Sequence, residues 1–195
     1  PMLALGPGDV SFGIQSDWTH TDIFAIARSR DRAGSHHVVL CHDIIPILFP
    51  EWYSDHDVAT FTRYYDKAFA AADRVVFTSR RTLEDAQAHC ARIGVSMRDT
   101  AVVPLGSDPF VSRGRPAPLP AGLEPGRFAM FVSTIEPRKN HLLLLNIWRE
   151  LARELGPRTP CLVIVGVRGW DNENVVDMLE RCPTIAPHVI ETSHL

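Results

Sequence analysis

Short apolar, β-rich runs alternate with amphipathic helical patterns along the chain, and a single proline- and glycine-dense stretch interrupts them. This alternation limits the fold more than any other feature, because strand–helix–strand units build parallel sheets. DVSFGI (9–14), HHVVLC (36–41), RVVFTS (74–79) and TAVVPLG (100–106) read as strands. Helical patterns cover 22–30, 57–73 and 80–93; the second sets Val58, Phe61, Tyr65, Ala68 and Phe69 on one face. Ser79 suits the N-cap of the third, whose stripe is Leu83, Ala86, Cys90 and Ile93, and Gly94 suits its stop. SRGRPAPLPAGLEPGR (112–127) holds four prolines and three glycines in sixteen residues. No regular element survives that density, so it reads as an interdomain linker. The pattern then restarts with FAMFVST (128–134), a helix capped by Asn140, CLVIVG (161–166), a helix over 172–182 and HVIETS (188–193). The Asn140 helix should bury Leu144, Ile147, Trp148, Leu151 and Leu155, and its run Leu142–Leu145 points to a buried element. The expected class is α/β, with parts of two parallel-sheet domains (1–111 and 128–195), helices on both sheet faces and a linker at 112–127.

Composition removes several functions. The net charge is −3 and no run of like charge occurs, whereas a polyanion partner calls for a basic stripe; nucleic acid is not expected. No apolar stretch approaches the ~18 residues of a membrane span. The four cysteines are scattered without a CxxC, as buried reduced thiols in a cytoplasmic protein would be. No GxGxxG follows a strand, and no GxxxxGK[ST] occurs, which argues against a dinucleotide oxidoreductase and a P-loop NTPase. The chain opens on Pro1 and closes on IETSHL in mid-pattern, so a piece of a longer protein is expected.

In parallel sheets ligands bind beyond the carboxyl ends of the strands. The residues there are His42 and Asp43 after VVLC, Ser79 after VVFT, Gly106 and Asp108 after AVVP, EPRKN (136–140) after FVST, and Gly166 and Arg168 after LVIV. Pro137 favours a turn into a helix, whose first N–H groups attract anions; Arg138 adds a planar fork and Lys139 a point charge. Cations here oppose the helix dipole unless an anion is present. The competing reading is a solvated pair held by Glu136. His42 can donate to a sugar or phosphate oxygen; a core imidazole, or a metal cluster with His56 and Asp57, is the alternative. Gly106 and Gly166 allow a ligand to approach the backbone. Asp108 can accept from a hydroxyl, but Asp before Pro is also an ordinary turn.

HDIIPILFPEWY, ADRVVFTSRRT, VVPLGSDP, FVSTIEPRKNHLLLL and LVIVGVRGW occur in this order. Together they resemble the retaining glycosyltransferases of family 4, which have the GT-B fold, and most closely the branch that builds bacterial surface polysaccharides, often from mannose donors. The resemblance implies two Rossmann-like domains facing across a cleft, with the acceptor on the first and a nucleotide diphosphate sugar on the second. It implies that Lys139, with Arg138 beside it and Arg168 near, meets the donor diphosphate. It further implies that His42 reaches the transferred sugar and that Gly166 opens the donor loop; Asp43, Ser79, Gly106 and Asp108, at strand ends, are candidates for sugar or acceptor contacts. No metal or other cofactor is implied. The protein is expected in the cytoplasm, with peripheral contact to the inner membrane face and a glycan or lipid-linked saccharide as acceptor. Two departures stand out. Ser133 occupies the place of an arginine common six residues before the lysine, and the family's pair of glutamates spaced by seven would lie beyond residue 195. A sugar-nucleotide epimerase and a non-catalytic sugar-nucleotide-binding module are the alternatives.

Overall fold

A computed structural model describes residues 5–14, 16–19, 21–106, 119 and 122–193. Chain contacts divide it into two units, Pro1–Phe110 and Val111–Leu195.

In the first unit β1 (Val10–Gly13), β2 (His36–Cys41), β3 (Arg74–Phe77) and β4 (Thr100–Val102) form a parallel sheet in the order β1-β2-β3-β4. The main crossovers are α1 (Ile23–Ala33), α3 (Asp55–Ala71) and α4 (Arg80–Ile93), with the short α2 (Ile45–Leu48) ahead of α3. Polar caps set the helix starts. Asp22 accepts from the Phe24 and Ala25 amides, Ser54 from Asp57 and Ser79 from Thr82, each satisfying donors that the helix cannot. Gly34 and Gly94, both left-handed, close α1 and α4. The core gathers Val39, Cys41, Val75 and Phe77 from the sheet with Ile23, Phe61, Tyr65, Phe69, Ala86 and Cys90 from the helices.

The second unit repeats the scheme with β5 (Phe128–Val132), β6 (Cys161–Val165) and β7 (Val189–Thr192), parallel in the order β5-β6-β7. α5 (His141–Leu155) and α6 (Glu173–Arg181) cross between them. Ile135, Leu145, Trp148, Leu162, Ile164, Val175 and Ile185 form its core.

Four expectations are corrected. Among the described residues, helices pack on one face of each sheet, not both. Both sheets run in sequential order, and a right-handed crossover between parallel neighbours always falls on the same side; helices reach the second face only where strand order reverses. The uncovered face of the first sheet leaves Val10 59%, Phe12 52% and Ile14 49% exposed. The leucine run is not uniformly buried: Leu145 is fully covered, while Leu142 and Leu143 are exposed, because four consecutive residues point round the whole helix. Ile147, expected on the buried face, is exposed as well. The strand expected over 100–106 ends at Val102.

Candidate functional site

The EPRKN segment stands on a stalk built from two strand-end loops. Beyond β5 and β6 the chains stay paired: Ser133 N donates to Val165 O and Ile135 N to Val167 O (2.9 Å each), and Gly169 N returns to Ile135 O at 3.0 Å. The Asn172 amide adds a bond to the same carbonyl at 3.0 Å. This approach requires glycine. A Cβ on Gly166 would lie 2.0 Å from the Ser133 carbonyl oxygen, and one on Gly169 would lie 2.9 Å from Thr134 Cγ2. Gly166 therefore permits a close contact with the chain's own backbone, a reason for glycine separate from the ligand approach expected from sequence. Ile135 is completely buried and anchors the stalk.

Past the stalk, Pro137–Lys139 form one 3-10 turn and Asn140 adopts a left-handed conformation (φ 55°) before α5 begins. Asn140 Oδ1 accepts from Leu143 N at 3.3 Å. The turn and helix thus present Lys139 at the amino end of a fifteen-residue helix. Lys139 is half-buried and has no ion pair among the described residues. Arg138 differs: its Nη2 donates to Glu136 Oε1 at 2.6 Å, and Glu136 is only 5% exposed. The pair held by Glu136, one of the two readings open from sequence, is thus present for Arg138.

His141, the first residue of α5, was not singled out from sequence. Its ring is buried edge-on against Phe131, with centroids 4.8 Å apart, and neither ring nitrogen has a partner among the described residues. Burial lowers its pKa, Glu136 opposes that shift and Lys139 reinforces it, so the imidazole is neutral at pH 7. A polar residue wedged between a cap and a leucine run was the available signal.

Arg168 is fully engaged with carboxylates. Nε and Nη2 each reach Glu191 at 2.8 Å, and Nη1 reaches Glu180 at 2.6 Å. These bonds raise the Arg168 pKa, and the Arg168 hydrogen bond lowers that of Glu191 despite partial burial. Arg168 therefore ties α6 and β7 to the loop after β6, and a phosphate would have to displace a carboxylate to use it.

In the first unit, the His42 carbonyl accepts from the Thr78 hydroxyl (2.9 Å) and the Thr82 hydroxyl (3.2 Å). The strand end is fixed through its main chain while the His42 side chain stays exposed. Asp43 accepts from Ile45 N at 3.0 Å and starts α2, and Ser79 caps α4, so both have structural duties. Around Gly106 the space that a Cβ would fill is open. Asp108 lies outside the described residues. Asp57 is engaged with Ser54, and among the described residues no group of three His, Cys, Asp or Glu side chains is gathered as for a metal. All four cysteines are free; Cys41 and Cys90 are buried, which raises both thiol pKa values, that of Cys90 to about 11. Among the described residues no helix is long and apolar enough to cross a membrane.

Two parallel-sheet units of this kind define an α/β chain of the class found in GT-B glycosyltransferases. No family model matches the sequence. Among solved structures, the pneumococcal O-GlcNAc transferase GtfA in complex with UDP and GlcNAc superposes with a TM-score of 0.58 at 18% identity, covering 98% of this chain and 35% of that one. TarM gives 0.58 at 9% identity, covering 93% and 32%. In sequence, the chain is similar to the serotype-specific mannosyltransferase WbdA of Escherichia coli, 30% identical over 164 residues. A second WbdA sequence from the same organism is 27% identical over 164 residues. The chain spans about a fifth of the length of these curated relatives: the alignments cover 78% of this chain and 20% of each relative.

Proposed function

We propose that the protein is a glycosyltransferase that passes mannose from a nucleotide diphosphate sugar to a glycan or lipid-linked saccharide, with retention at the anomeric carbon. The carrying observation is Lys139, a cation without a carboxylate partner among the described residues, at the positive end of α5. A lone positive charge there is unfavourable by itself and becomes favourable when a diphosphate arrives. As the sugar leaves, negative charge grows on the diphosphate, and Lys139 with the first-turn amides of α5 stabilises it without a metal. Arg138 joins when it is freed from Glu136. Arg168 orders the neighbouring loop, and Gly166 keeps that loop against Ser133. His42, exposed beyond β2, donates to the transferred sugar, and Asp43, Gly106 and Asp108 contribute sugar or acceptor contacts. The mannose is supported by the similarity to WbdA, a serotype-specific mannosyltransferase, and a nucleotide donor by the GtfA complex with UDP. The protein acts in the cytoplasm, in peripheral contact with the inner membrane face.

The test is a panel of UDP- and GDP-sugars incubated with the full-length protein, with released nucleoside diphosphate measured with and without saccharide acceptors. Turnover of a mannose donor, UDP- or GDP-linked, raised by acceptor and with the product linkage matching the donor's anomeric configuration, is the expected result. An inverted linkage would remove the retaining mechanism, and no release from any donor would remove the transferase reading.

A further inference from the structure

The base of the EPRKN turn concentrates unmet polar atoms. Among the described residues, Arg138 Nε and both ring nitrogens of His141 are buried side-chain nitrogens without a partner, and they sit within four residues of one another in sequence. Beside them is the Glu136 carboxylate, 5% exposed and held at 2.6 Å by a single guanidinium group. The Arg138 side chain is 28% exposed and can turn outward; Glu136 cannot follow. A buried carboxylate left without its cation is strongly unfavourable, so Arg138 can leave only if another donor replaces it. Among the described residues, the His141 ring, which feels the Glu136 charge, is buried with both nitrogens unpartnered.

We propose that His141 is a positioning residue that receives the Glu136 carboxylate when a diphosphate draws Arg138 away, taking up a proton from solvent as it does so. This rests on the diphosphate reading of the Arg138–Lys139 turn. The proton comes from the buffer and goes to an imidazole nitrogen; the N–H so formed, or the one already present, donates to a Glu136 oxygen. The released guanidinium turns to the phosphate oxygens. The groups facing the imidazole are Glu136 and Lys139 from the turn and the uncharged Phe131 ring from β5. At rest, burial and Lys139 keep the ring neutral. Departure of Arg138 unmasks Glu136, and the incoming diphosphate adds negative charge, and both changes favour the imidazolium. Donor binding and proton uptake are thereby coupled, and each promotes the other.

The experiment is calorimetric titration of the full-length protein with GDP and with UDP near neutral pH, in two buffers of different ionisation enthalpy. The parent should take up a substantial fraction of one proton with whichever nucleotide binds. His141→Gln, whose amide N–H can meet Glu136 but cannot titrate, should bind within about threefold of the parent and lose the uptake. His141→Leu should bind roughly tenfold more weakly, because Glu136 is then left without a donor. Glu136→Gln should also abolish uptake. The parent measurement needs no variant to fold: absence of uptake on binding overturns the proposal, as does equal uptake in the parent and His141→Gln. Failure of the diphosphate reading has a different signature, namely tight binding that Lys139→Ala leaves unchanged, or no binding of either nucleotide.

Discussion

Arg138 and Lys139 are adjacent cations, yet among the described residues only Arg138 has a carboxylate at hand. Sequence spacing located both at the turn but could not divide their roles, because the partner is chosen by side-chain geometry around a buried Glu136. Arg168 illustrates the same limit: its carboxylates come from positions 180 and 191, on two later elements. His42 was legible as an exposed strand-end residue, since a polar side chain following a β-rich run at the carboxyl edge has nowhere apolar to go. His42→Ala should lower turnover sharply while changing stability by less than about 0.5 kcal/mol, as for an exposed side chain without packing duties. Parallel losses in turnover and melting temperature would contradict this. The Glu191 pKa is lowered, mainly by its hydrogen bond from Arg168, so this pair stabilises the fold above the unfolded carboxylate value and the benefit is lost as pH falls through the folded value. Between about pH 6 and 3 the parent should therefore lose melting temperature more steeply than Arg168→Gln.

At the scale of elements, caps and strands could be read from sequence because their determinants are local. Ser79, Gly94 and Asn140 each terminate the helix they were expected to terminate. Ser79→Ala should cost about 1 kcal/mol by thermal or denaturant unfolding. The packing reason for glycine at 166 could not be read from sequence because it lies in another loop: the Ser133 carbonyl occupies the space of a side chain. That contact is with backbone, which cannot turn aside as a flexible side chain can. Gly166→Ala should destabilise the second unit by about 1–3 kcal/mol or more. Hydrogen exchange should quicken at Ser133 and Ile135, whose amides pair the two loops. Unchanged protection at those amides would contradict the stalk.

At the scale of the molecule, the two units have separate cores, and chain contacts divide them between Phe110 and Val111. The one-sided helix layers were not foreseen, because they follow from strand order, which depends on pairings that no local window contains. Leu145→Ala, in the second core, should cost about 2–5 kcal/mol and loosen β5 and β6 in hydrogen exchange while leaving β2 and β3 protected. The central claim remains that the turn before α5 binds a diphosphate. Its most direct test is titration of the parent and Lys139→Ala with GDP and UDP, each against the matching nucleoside. The account predicts a dissociation constant higher by about one to two decades for the diphosphate, from a charge-assisted contact of about 1.5–3 kcal/mol, with little change for the nucleoside. Equal diphosphate affinity in parent and variant would contradict it.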